Sequence, residues 1–417
     1  MRPVKSVCII GAGPAGLVSL KRLLDQASES PLEVVVYERS SQVGGTWNYS
    51  PTPAKPLDLT QPDAIPTVET TEVIPSPVYP FLRTNLPFAT MSLHDFAFPD
   101  TGTLYPKHPV VLKYLQDYAK HFKLAPHIHF STTVIKVEEQ SAPEGQEDTY
   151  GAWTVVTKDA QGSSSSRSFD AVIVCNGHHN APFVPDIPGL RSLAATHPSL
   201  FSHSRDYRQG DPYRGKTVMT IGDGPSAWDI SRNLKDSDCT VHRSMRTAPE
   251  KPSLNYTYHL APKEFSEKGV TFVDGTTLPL PDHIILCTGY HYAFPFMPQY
   301  TAGSHVPHLY HQVLHSVHPN LAFMALPTQI SPFPLAEYQA LYVSKVWSGQ
   351  VPLPCPDCRE ADGVLNRSGH DLGPMEQVHY CDWIIRQCGD DSLPLVSQEW
   401  IDLRLKGPEL RMQELGY

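Results

Sequence analysis

The chain has 417 residues and a net charge of −10. This length is enough for two or three domains with hydrophobic cores. The acidic balance argues against a nucleic-acid partner, because no basic surplus exists to neutralise phosphates. No apolar run approaches the roughly 18 residues of a membrane span. The apolar run before the first glycine motif covers only residues 7–10, so we expect no signal peptide and a cytoplasmic protein.

The start of the chain has the pattern of a dinucleotide-binding unit. Residues 7–10 are apolar, residues 11–16 read GAGPAG, and residues 17–24 have amphipathic spacing. A second apolar run, residues 32–37, ends in Glu38. This order predicts a strand, a tight glycine turn, a helix and a second strand that ends in an acid.

Each part of this pattern has a separate physical task. Gly11 permits the tight turn, Gly13 lets the backbone approach a pyrophosphate, and Gly16 lets helix and strand pack closely. The helix N-terminus offers free N–H groups to the phosphates. Glu38 follows Gly16 by roughly 20 residues, where an acid can accept hydrogen bonds from a ribose 2′-OH.

Residues 44–47 read GGTW. Two glycines, Gly44 and Gly45, allow a loop to fold against a flat ring, which Trp47 can cover. Disulfide reductases of similar fold place a redox cysteine pair just after such glycines. This chain has no cysteine there, which argues against dithiol chemistry at this position.

Residues 51–109 are rich in proline, threonine and aromatic residues, and they have poor periodicity. An irregular stretch of this length inside a domain indicates a functional segment. Within it, Asn85 carries no charge but has both a hydrogen-bond donor and an acceptor. By spacing alone, Asn85 is a turn residue before Leu-Pro. Residues 108–122 then have helical spacing.

Three strands are predicted at residues 132–137, 153–157 and 169–175, with exposed loops at residues 140–148 and 162–166. The proline-rich connection at residues 182–189 marks the first domain boundary.

A second glycine motif follows this boundary. Residues 218–221 predict a strand, residues 222–227 read GDGPSA, and residues 228–234 begin a helix. Gly222 and Gly224 therefore occupy the first two fingerprint positions of a second dinucleotide site, and Ala227 occupies the third. Ser226 lies in the same turn and is a further candidate for cofactor binding.

The second motif differs from the first after its second strand, near residues 240–242. No acid follows; Arg243, Arg246 and Thr247 are found there instead. An arginine can pair with a 2′-phosphate in a bidentate manner, whereas an acid would repel it. The first site therefore suits a ribose with a free 2′-OH, and the second suits NADPH.

The remaining chain predicts a hairpin over residues 270–280 with an Asp-Gly turn. The strand at residues 284–287 is interpreted as the return to the first domain. Residues 335–347 predict an amphipathic helix, and the last 60 residues are expected to be helical or loop. Cys355 and Cys358 have metal or redox spacing, but they are interpreted as ordinary thiols, and no metal site is predicted.

Together these motifs resemble the flavin-containing monooxygenase family, in particular its soluble, fungal-like class B members. The matching segments, in family order, are GAGPAG at 11–16, Glu38, GGTW at 44–47, TNLP at 84–87, HSRDY at 203–207, GDGPSA at 222–227, RTAP at 246–249 and LCTGY at 286–290. One departure is His197 and Ser199, which stand where the family motif has phenylalanine and glycine.

The resemblance implies an α/β fold with two Rossmann-like domains, the NADPH domain inserted in the FAD domain. The expected bounds are 1–185 and 286–417 for the FAD domain and 186–285 for the NADPH domain. It also implies that a C4a-hydroperoxyflavin transfers one oxygen atom from dioxygen to a thiol, thioether or amine. Asn85 is then the catalytic residue. Further cofactor-binding residues implied are Tyr79, His203, Ser204 and Gln329, and a homodimer is possible.

Three alternatives stay open. A Baeyer–Villiger monooxygenase shares both dinucleotide sites, but its usual motif has Trp or Phe-Pro where this chain has Tyr207 and Arg208. A flavin disulfide reductase is disfavoured by the absent cysteine pair near Gly45. A flavin-binding protein without turnover would serve as a partner scaffold.

Overall fold

The computed structural model describes residues 3–27, 31–60, 74–140, 150–249, 255–300, 303–362 and 370–416. Within these residues the helices, in chain order, are α1 Pro14–Ala27, α2 Phe88–Met91, α3 His108–His121, α4 Leu190–Thr196, α5 Pro225–Asp236, α6 Pro332–Trp347, α7 Pro356–Asp362, α8 Pro374–Cys388 and α9 Gln398–Leu415. The helices α1 and α5 each begin with the proline of a glycine motif, because proline at the first helical position needs no N–H partner.

The strands, in chain order, are β1 Ser6–Ile10, β2 Glu33–Tyr37, β3 Ile128–His129, β4 Thr132–Glu139, β5 Trp153–Asp159, β6 Ser164–Phe169, β7 Ala171–Val174, β8 Ala181–Pro182, β9 Phe201–His203, β10 Thr217–Ile221, β11 Thr240–Ser244, β12 Thr257–His259, β13 Pro262–Ser266, β14 Gly269–Phe272, β15 Thr277–Leu278, β16 His283–Leu286, β17 Tyr290–His291, β18 Leu309–Tyr310, β19 Leu314–His315 and β20 Leu321–Phe323.

The first large sheet has the strand order β18-β19-β20-β7-β1-β2-β3. Strands β20, β7, β1, β2 and β3 are parallel, and β18 and β19 add an antiparallel edge on one side. The strands inside the sheet, β20, β7, β1 and β2, are mainly apolar and almost entirely buried, as expected of parallel strands covered by helices. Helix α1 packs against α6, which is buried on nearly all sides rather than amphipathic as predicted.

The second sheet, with the order β12-β11-β10-β16-β9, is parallel throughout. Its strands come from residues 201–286, between the parts of the chain that form the first sheet. The chain thus has two Rossmann-type units, one inserted in the other, which confirms the predicted fold class. The domain bounds 1–185, 186–285 and 286–417 stay a prediction.

The strand predicted at residues 284–287 does not return the chain to the first unit. It is β16, which pairs with β10 and β9 in the second sheet, so that interpretation was wrong. An apolar strand that ends in a small turn is common to both units, and the pattern alone could not tell them apart. The chain leaves the second sheet after Leu286.

The antiparallel sheet β4-β5-β6 corrects a second prediction. Residues 164–166, predicted as part of a loop, belong to the strand β6, which pairs with β5 along its length. The pairing with β5 overrides the weak strand propensity of serine. The predicted strand at residues 169–175 is interrupted at Asp170, where β6 ends and β7 begins. The predicted loop at residues 140–148 lies almost entirely outside the described residues.

Candidate cofactor and active site

The first glycine turn lies between β1 and α1 and depends on glycine geometry. Gly11 has a φ of +102°, and its N–H donates to the Tyr37 carbonyl at 2.8 Å. A Cβ on Gly11 would lie 2.6 Å from the Cys175 carbonyl oxygen. A Cβ on Gly16 would lie 1.9 Å from the Gly11 carbonyl oxygen. Any larger side chain at either position would therefore displace backbone.

Glu38 follows β2 and is bonded directly to this turn. Its side chain is 4% exposed. One carboxylate oxygen accepts from the Ala12 N–H and the other from the Ser40 N–H, each at 2.7 Å. An ionised carboxylate has about four acceptor positions, so capacity remains for ribose hydroxyls. The acid is held in place before any ligand contacts it.

The loop with Gly44 and Gly45 lies against the same turn. The Gly44 N–H donates to the Ala12 carbonyl at 3.0 Å, and a Cβ on Gly45 would lie 2.9 Å from the Gly13 Cα. Trp47 is half-buried and meets Phe333 of α6 edge to face at 6.3 Å. The backbones of the Gly44–Gly45 loop and the first glycine turn are in contact. Between them lies a cradle that side chains larger than glycine would fill.

Asn48 adds an independent sign of a ligand at this cradle. Its amide nitrogen and oxygen are both buried, and neither has a hydrogen-bond partner among the described residues. A buried amide without partners costs about 1–3 kcal/mol. A polar cofactor in this place would supply the missing bonds, so the residues present fit a bound dinucleotide.

The second glycine turn repeats the first around a different strand. Gly222 has a φ of +132°, and a Cβ there would lie 2.2 Å from the Cys287 carbonyl oxygen, as Gly11 lies against Cys175. A Cβ on Gly224 would meet no described atom within 4 Å, so this face of the turn is open. Ser226 is half-buried in the first turn of α5, and the third motif position is the buried Ala227.

The basic residues of the second motif lie in opposite environments, because Arg243 belongs to the strand β11 itself and Arg246 follows that strand. Arg243 is fully buried, with its guanidinium 3.5 Å from the Trp228 ring centroid and Tyr256 and Tyr258 at 5.5 and 5.8 Å. Burial lowers the pKa of Arg243 from its usual value. Arg246 is 86% exposed and 3.8 Å from Asp223 of the turn, and Thr247 is exposed beside it.

Asn85 lies in the irregular segment and is exposed. The backbone beside it is held by Thr84, whose N–H donates to the Pro106 carbonyl at 3.0 Å and whose hydroxyl donates to the Leu86 carbonyl at 2.8 Å. Arg83 donates to the Tyr105 carbonyl at 2.9 Å. The segment is therefore fixed on both sides while the Asn85 amide stays accessible.

Tyr79 connects this segment to the second unit. Its hydroxyl, on a side chain that is 3% exposed, donates to Asp229 of α5 at 2.7 Å. The other Asp229 oxygen accepts from Arg411 of α9 at 2.8 Å. One buried carboxylate thus joins the segment before Asn85, the helix of the second glycine turn and the C-terminal helix.

His203 and Ser204 lie at the end of β9 and are both buried. The His203 Nδ1 accepts from the Arg205 N–H at 3.1 Å, so that nitrogen carries no proton. Burial lowers the pKa of His203 to about 3, which keeps the ring neutral near pH 7. The ring packs edge to face on Tyr290 at 5.2 Å. In this position His203 is a neutral, packed side chain.

Gln329 precedes α6 and has a φ of +58°. Its side-chain amide donates to Asp371 at 2.9 Å, and its backbone carbonyl accepts from Arg404 of α9 at 2.9 Å. Of the predicted site residues, Glu38 and Gly45 contact the first glycine turn, and Tyr79 contacts the helix of the second. Helix α9 contacts Asp229 through Arg411, and it contacts the Gln329 backbone through Arg404.

Four residues of this region had no assigned role in the sequence analysis: Asn48, Trp228, Asp229 and Arg411. Asn48 directly follows Trp47, so the motif itself offered a signal for it. Asp229 and Arg411 are 182 residues apart and match no motif, so only the folded chain brings them together.

Comparisons with known proteins agree with this geometry. The flavin-binding monooxygenase-like family model matches residues 4–249 and 257–367. The flavin-containing monooxygenase FMO GS-OX-like 4 of Arabidopsis thaliana is 35% identical over 436 aligned residues, covering 96% of this chain and 90% of the relative.

Solved structures show the same similarity. The S-allyl-L-cysteine S-oxygenase of Allium sativum has a TM-score of 0.84 at 30% identity, covering 100% of this chain and 95% of that one. Tmm from Pelagibacter sp. strain HTCC7211 has a TM-score of 0.79 at 22% identity, covering 99% and 91%, and shares the fold.

The chain belongs to the flavin-binding monooxygenase-like family. It is a flavin monooxygenase whose cofactors are FAD and NADPH. Among the described residues, no helix is both long and apolar enough to cross a membrane.

Proposed function

We propose that this protein is an NADPH-dependent S-oxygenase that transfers one oxygen atom from dioxygen to the sulfur of a small thioether. The observation that carries this proposal is its similarity to the Allium sativum S-allyl-L-cysteine S-oxygenase, which extends over the whole chain. When bound, FAD supplies the activation of dioxygen and NADPH supplies the hydride. The chain itself binds, orients and shields these groups.

In this proposal FAD occupies the first glycine turn. Gly11, Gly13 and Gly16 admit its pyrophosphate, and Glu38 accepts from its ribose. Gly45, Trp47 and Asn48 form the cradle beside the turn. This assignment is supported by the buried Asn48 amide, which has no protein partner among the described residues.

NADPH occupies the second turn, formed by Gly222, Gly224 and Ser226. We assign the 2′-phosphate contact to Arg246 and Thr247, because both are exposed beside the turn. Arg243 is enclosed by aromatic rings, so its place supports a structural role beneath Trp228 more than the predicted direct contact. His203, Ser204 and Gln329 stay predicted cofactor-binding residues.

Asn85 is the proposed catalytic residue. Its amide can donate one hydrogen bond and accept another at the same time, without a change of charge. This property suits a group that orients a reactive oxygen without taking up its proton. The exposed amide on a fixed backbone supports the assignment, because a pre-positioned donor needs no reorganisation during the reaction.

The test is turnover of S-allyl-L-cysteine by the FAD-loaded protein with NADPH and isotopically labelled dioxygen. We expect a sulfoxide with one labelled oxygen, detected by mass spectrometry. Asn85→Leu should retain FAD but lose sulfoxide formation. The matched control is Gln161→Ala, which removes an exposed amide from the turn between β5 and β6 and should leave the rate unchanged.

The same assay decides between the alternatives. If labelled oxygen entered a trialkylamine but not the thioether, the enzyme would be an N-oxygenase and not an S-oxygenase. Conversion of a cyclic ketone to a lactone would identify a Baeyer–Villiger enzyme. An unchanged sulfoxide rate in Asn85→Leu would contradict the role of Asn85, while leaving the S-oxygenase assignment intact.

A further inference from the structure

The eight cysteines of the chain fall into two groups by exposure. Cys388 is half-buried, and five others are buried: Cys8, Cys175, Cys239, Cys287 and Cys381. Cys355 and Cys358 are both exposed, and all eight are free thiols. The two thiols that solvent reaches most easily are therefore a pair separated by two residues.

These two cysteines face each other at the beginning of α7. Cys355 directly precedes the helix, and the Cys358 N–H donates to the Cys355 sulfur at 3.4 Å. Residues three apart in a helical turn have Cβ atoms about 5–6 Å apart. A disulfide needs a Cβ separation of about 3.5–4.5 Å. The contact of the Cys358 N–H already brings the Cys355 sulfur back over the first turn of α7 toward Cys358, which is the approach that a disulfide between them needs.

Arg359 holds both ends of this turn. Its side chain is buried, Nη1 donates to the Pro354 carbonyl at 2.8 Å, and Nε donates to the Ser316 carbonyl at 2.8 Å. Nη2 reaches the Tyr150 hydroxyl at 3.1 Å. Pro354 directly precedes Cys355, and Arg359 directly follows Cys358, so one guanidinium anchors the pair to the protein body. The thiols are pre-positioned rather than carried on a free loop.

The contact between the thiols also makes them unequal. Hydrogen bonds from the Cys358 thiol and backbone N–H lower the pKa of Cys355, and the same contact raises the pKa of Cys358. By contrast, burial raises the pKa of Cys287 to about 12. Because the thiolate is the reactive form, and the Cys358 N–H donates to the Cys355 sulfur and not the reverse, Cys355 is the nucleophile of the pair and Cys358 the second thiol.

We propose that Cys355 and Cys358 form a reversible disulfide site that reacts with small hydroperoxides, separate from the cofactor sites. The Cys355 thiolate attacks the terminal peroxide oxygen, so an S–O bond forms, the O–O bond breaks, and an alcohol or water leaves after protonation. Cys355 is thereby oxidised to a sulfenic acid. The Cys358 sulfur then displaces the hydroxyl group, an S–S bond forms, and water leaves with the thiol proton.

The first test uses the full-length, FAD-loaded protein in its reduced form. It is treated with hydrogen peroxide, alkylated and digested for peptide mass spectrometry. We expect one disulfide, between Cys355 and Cys358, that dithiothreitol reverses, with the other six cysteines alkylated. Full alkylation of both residues after peroxide treatment, or a disulfide that joins either residue to another cysteine, would overturn the proposal.

The second test separates the two roles. With dimedone, which labels sulfenic acids, Cys358→Ser should trap label on Cys355, whereas Cys355→Ser should leave Cys358 unlabelled. Cys388→Ser is the matched control and should form the disulfide as the unaltered protein does. Equal labelling of Cys355 and Cys358 would refute the assignment of the nucleophile. None of these readouts depends on oxygenase activity, so they stand or fail apart from the proposed S-oxygenation.

Discussion

The glycine turns at Gly11 and Gly222 have the same backbone arrangement. In each, the first glycine has a positive φ and packs against the carbonyl of a cysteine at the end of a neighbouring strand, Cys175 in one case and Cys287 in the other. In each, a proline then begins the helix. The same constraint produces both, because two adjacent parallel strands leave no room for a Cβ at that point.

They differ in what surrounds the turn. The first is enclosed: Ala12 is buried, and Glu38 already accepts two backbone hydrogen bonds. The second is open: Gly224 has free space beside it, and Arg246 extends into solvent.

This difference indicates two kinds of binding. A buried site with an already oriented acid loses little freedom on binding and suits a cofactor that stays. An exposed cation next to an open turn attracts a charged ligand and suits a cofactor that must come and go. We therefore expect FAD to behave as a resident group and NADPH as an exchanging one.

The largest expected effect is that of Gly16→Ala. The new methyl group would lie 1.9 Å from the Gly11 carbonyl oxygen, so helix or turn must shift. Because the clash is with backbone, the cost should reach or exceed about 3 kcal/mol, the upper end for overpacking, which corresponds to flavin binding weakened by roughly 150-fold or more. The ratio of flavin to protein absorbance in the purified variant measures it.

Ala227→Gly is the matched change at the second turn. It opens space in place of filling it, and it costs roughly 1 kcal/mol of helix stability. Flavin content should stay unchanged. If both variants lost flavin equally, the contrast between the enclosed and the open turn would be disproved.

Arg246→Ala should produce the next largest change. Loss of a charge-assisted hydrogen bond is worth about 1.5–3 kcal/mol, so KM for NADPH should rise by roughly 10- to 150-fold. KM for NADH, which has no 2′-phosphate, should change little. Steady-state oxidation of both nucleotides by the same preparation measures the ratio.

The control for this prediction is Arg243→Met, which removes the buried cation under Trp228. It should lower thermal stability and leave the ratio of the two KM values unchanged. If the preference for NADPH over NADH were lost in Arg243→Met and kept in Arg246→Ala, the assignment of the two arginines would be reversed.

The contrast between the turns was only partly readable from the sequence. The strand, turn and helix around Gly11 and Gly222 were predictable because a tight turn and its flanking periodicity are local properties. The nature of the residue after the second strand, acid or base, was also local. Which arginine is exposed was not a local property, since that depends on Trp228 from the preceding helix and Tyr256 from just before the next strand.

Non-local pairing explains the other differences. The strand β6 forms because β5 offers an edge, although its residues are mainly serine. Asp229 receives partners from Tyr79 and Arg411, which are 150 and 182 residues away. No spacing rule connects positions at such distances. Asn85 could be assigned only through a family resemblance, because its own segment has no periodicity.

The bond between Tyr79 and Asp229 couples the first unit to the helix of the second turn, so Tyr79→Phe should weaken that coupling. A hydrogen bond to a charged group contributes about 1.5–3 kcal/mol, and Asp229 keeps Arg411 as a partner. The free energy of unfolding, measured in urea, should fall by an amount in this range. Tyr207→Phe removes a bond to the neutral Asn233 and should cost only about 0.5–1.5 kcal/mol. Equal losses would show that Asp229 is not a special acceptor.

The smallest effect we expect is that of salt, and it tests the open turn directly. Exposed charges are screened over about 10 Å at 0.1 M salt and about 3 Å at 1 M. KM for NADPH should therefore rise a few-fold over this range in the unaltered protein, and much less in Arg246→Ala, because the screened charge is gone. Flavin retention should not change, since Glu38 is buried and meets an uncharged ribose in the proposed complex. If flavin retention fell with salt in parallel with NADPH binding, charge exposure would not distinguish the two sites.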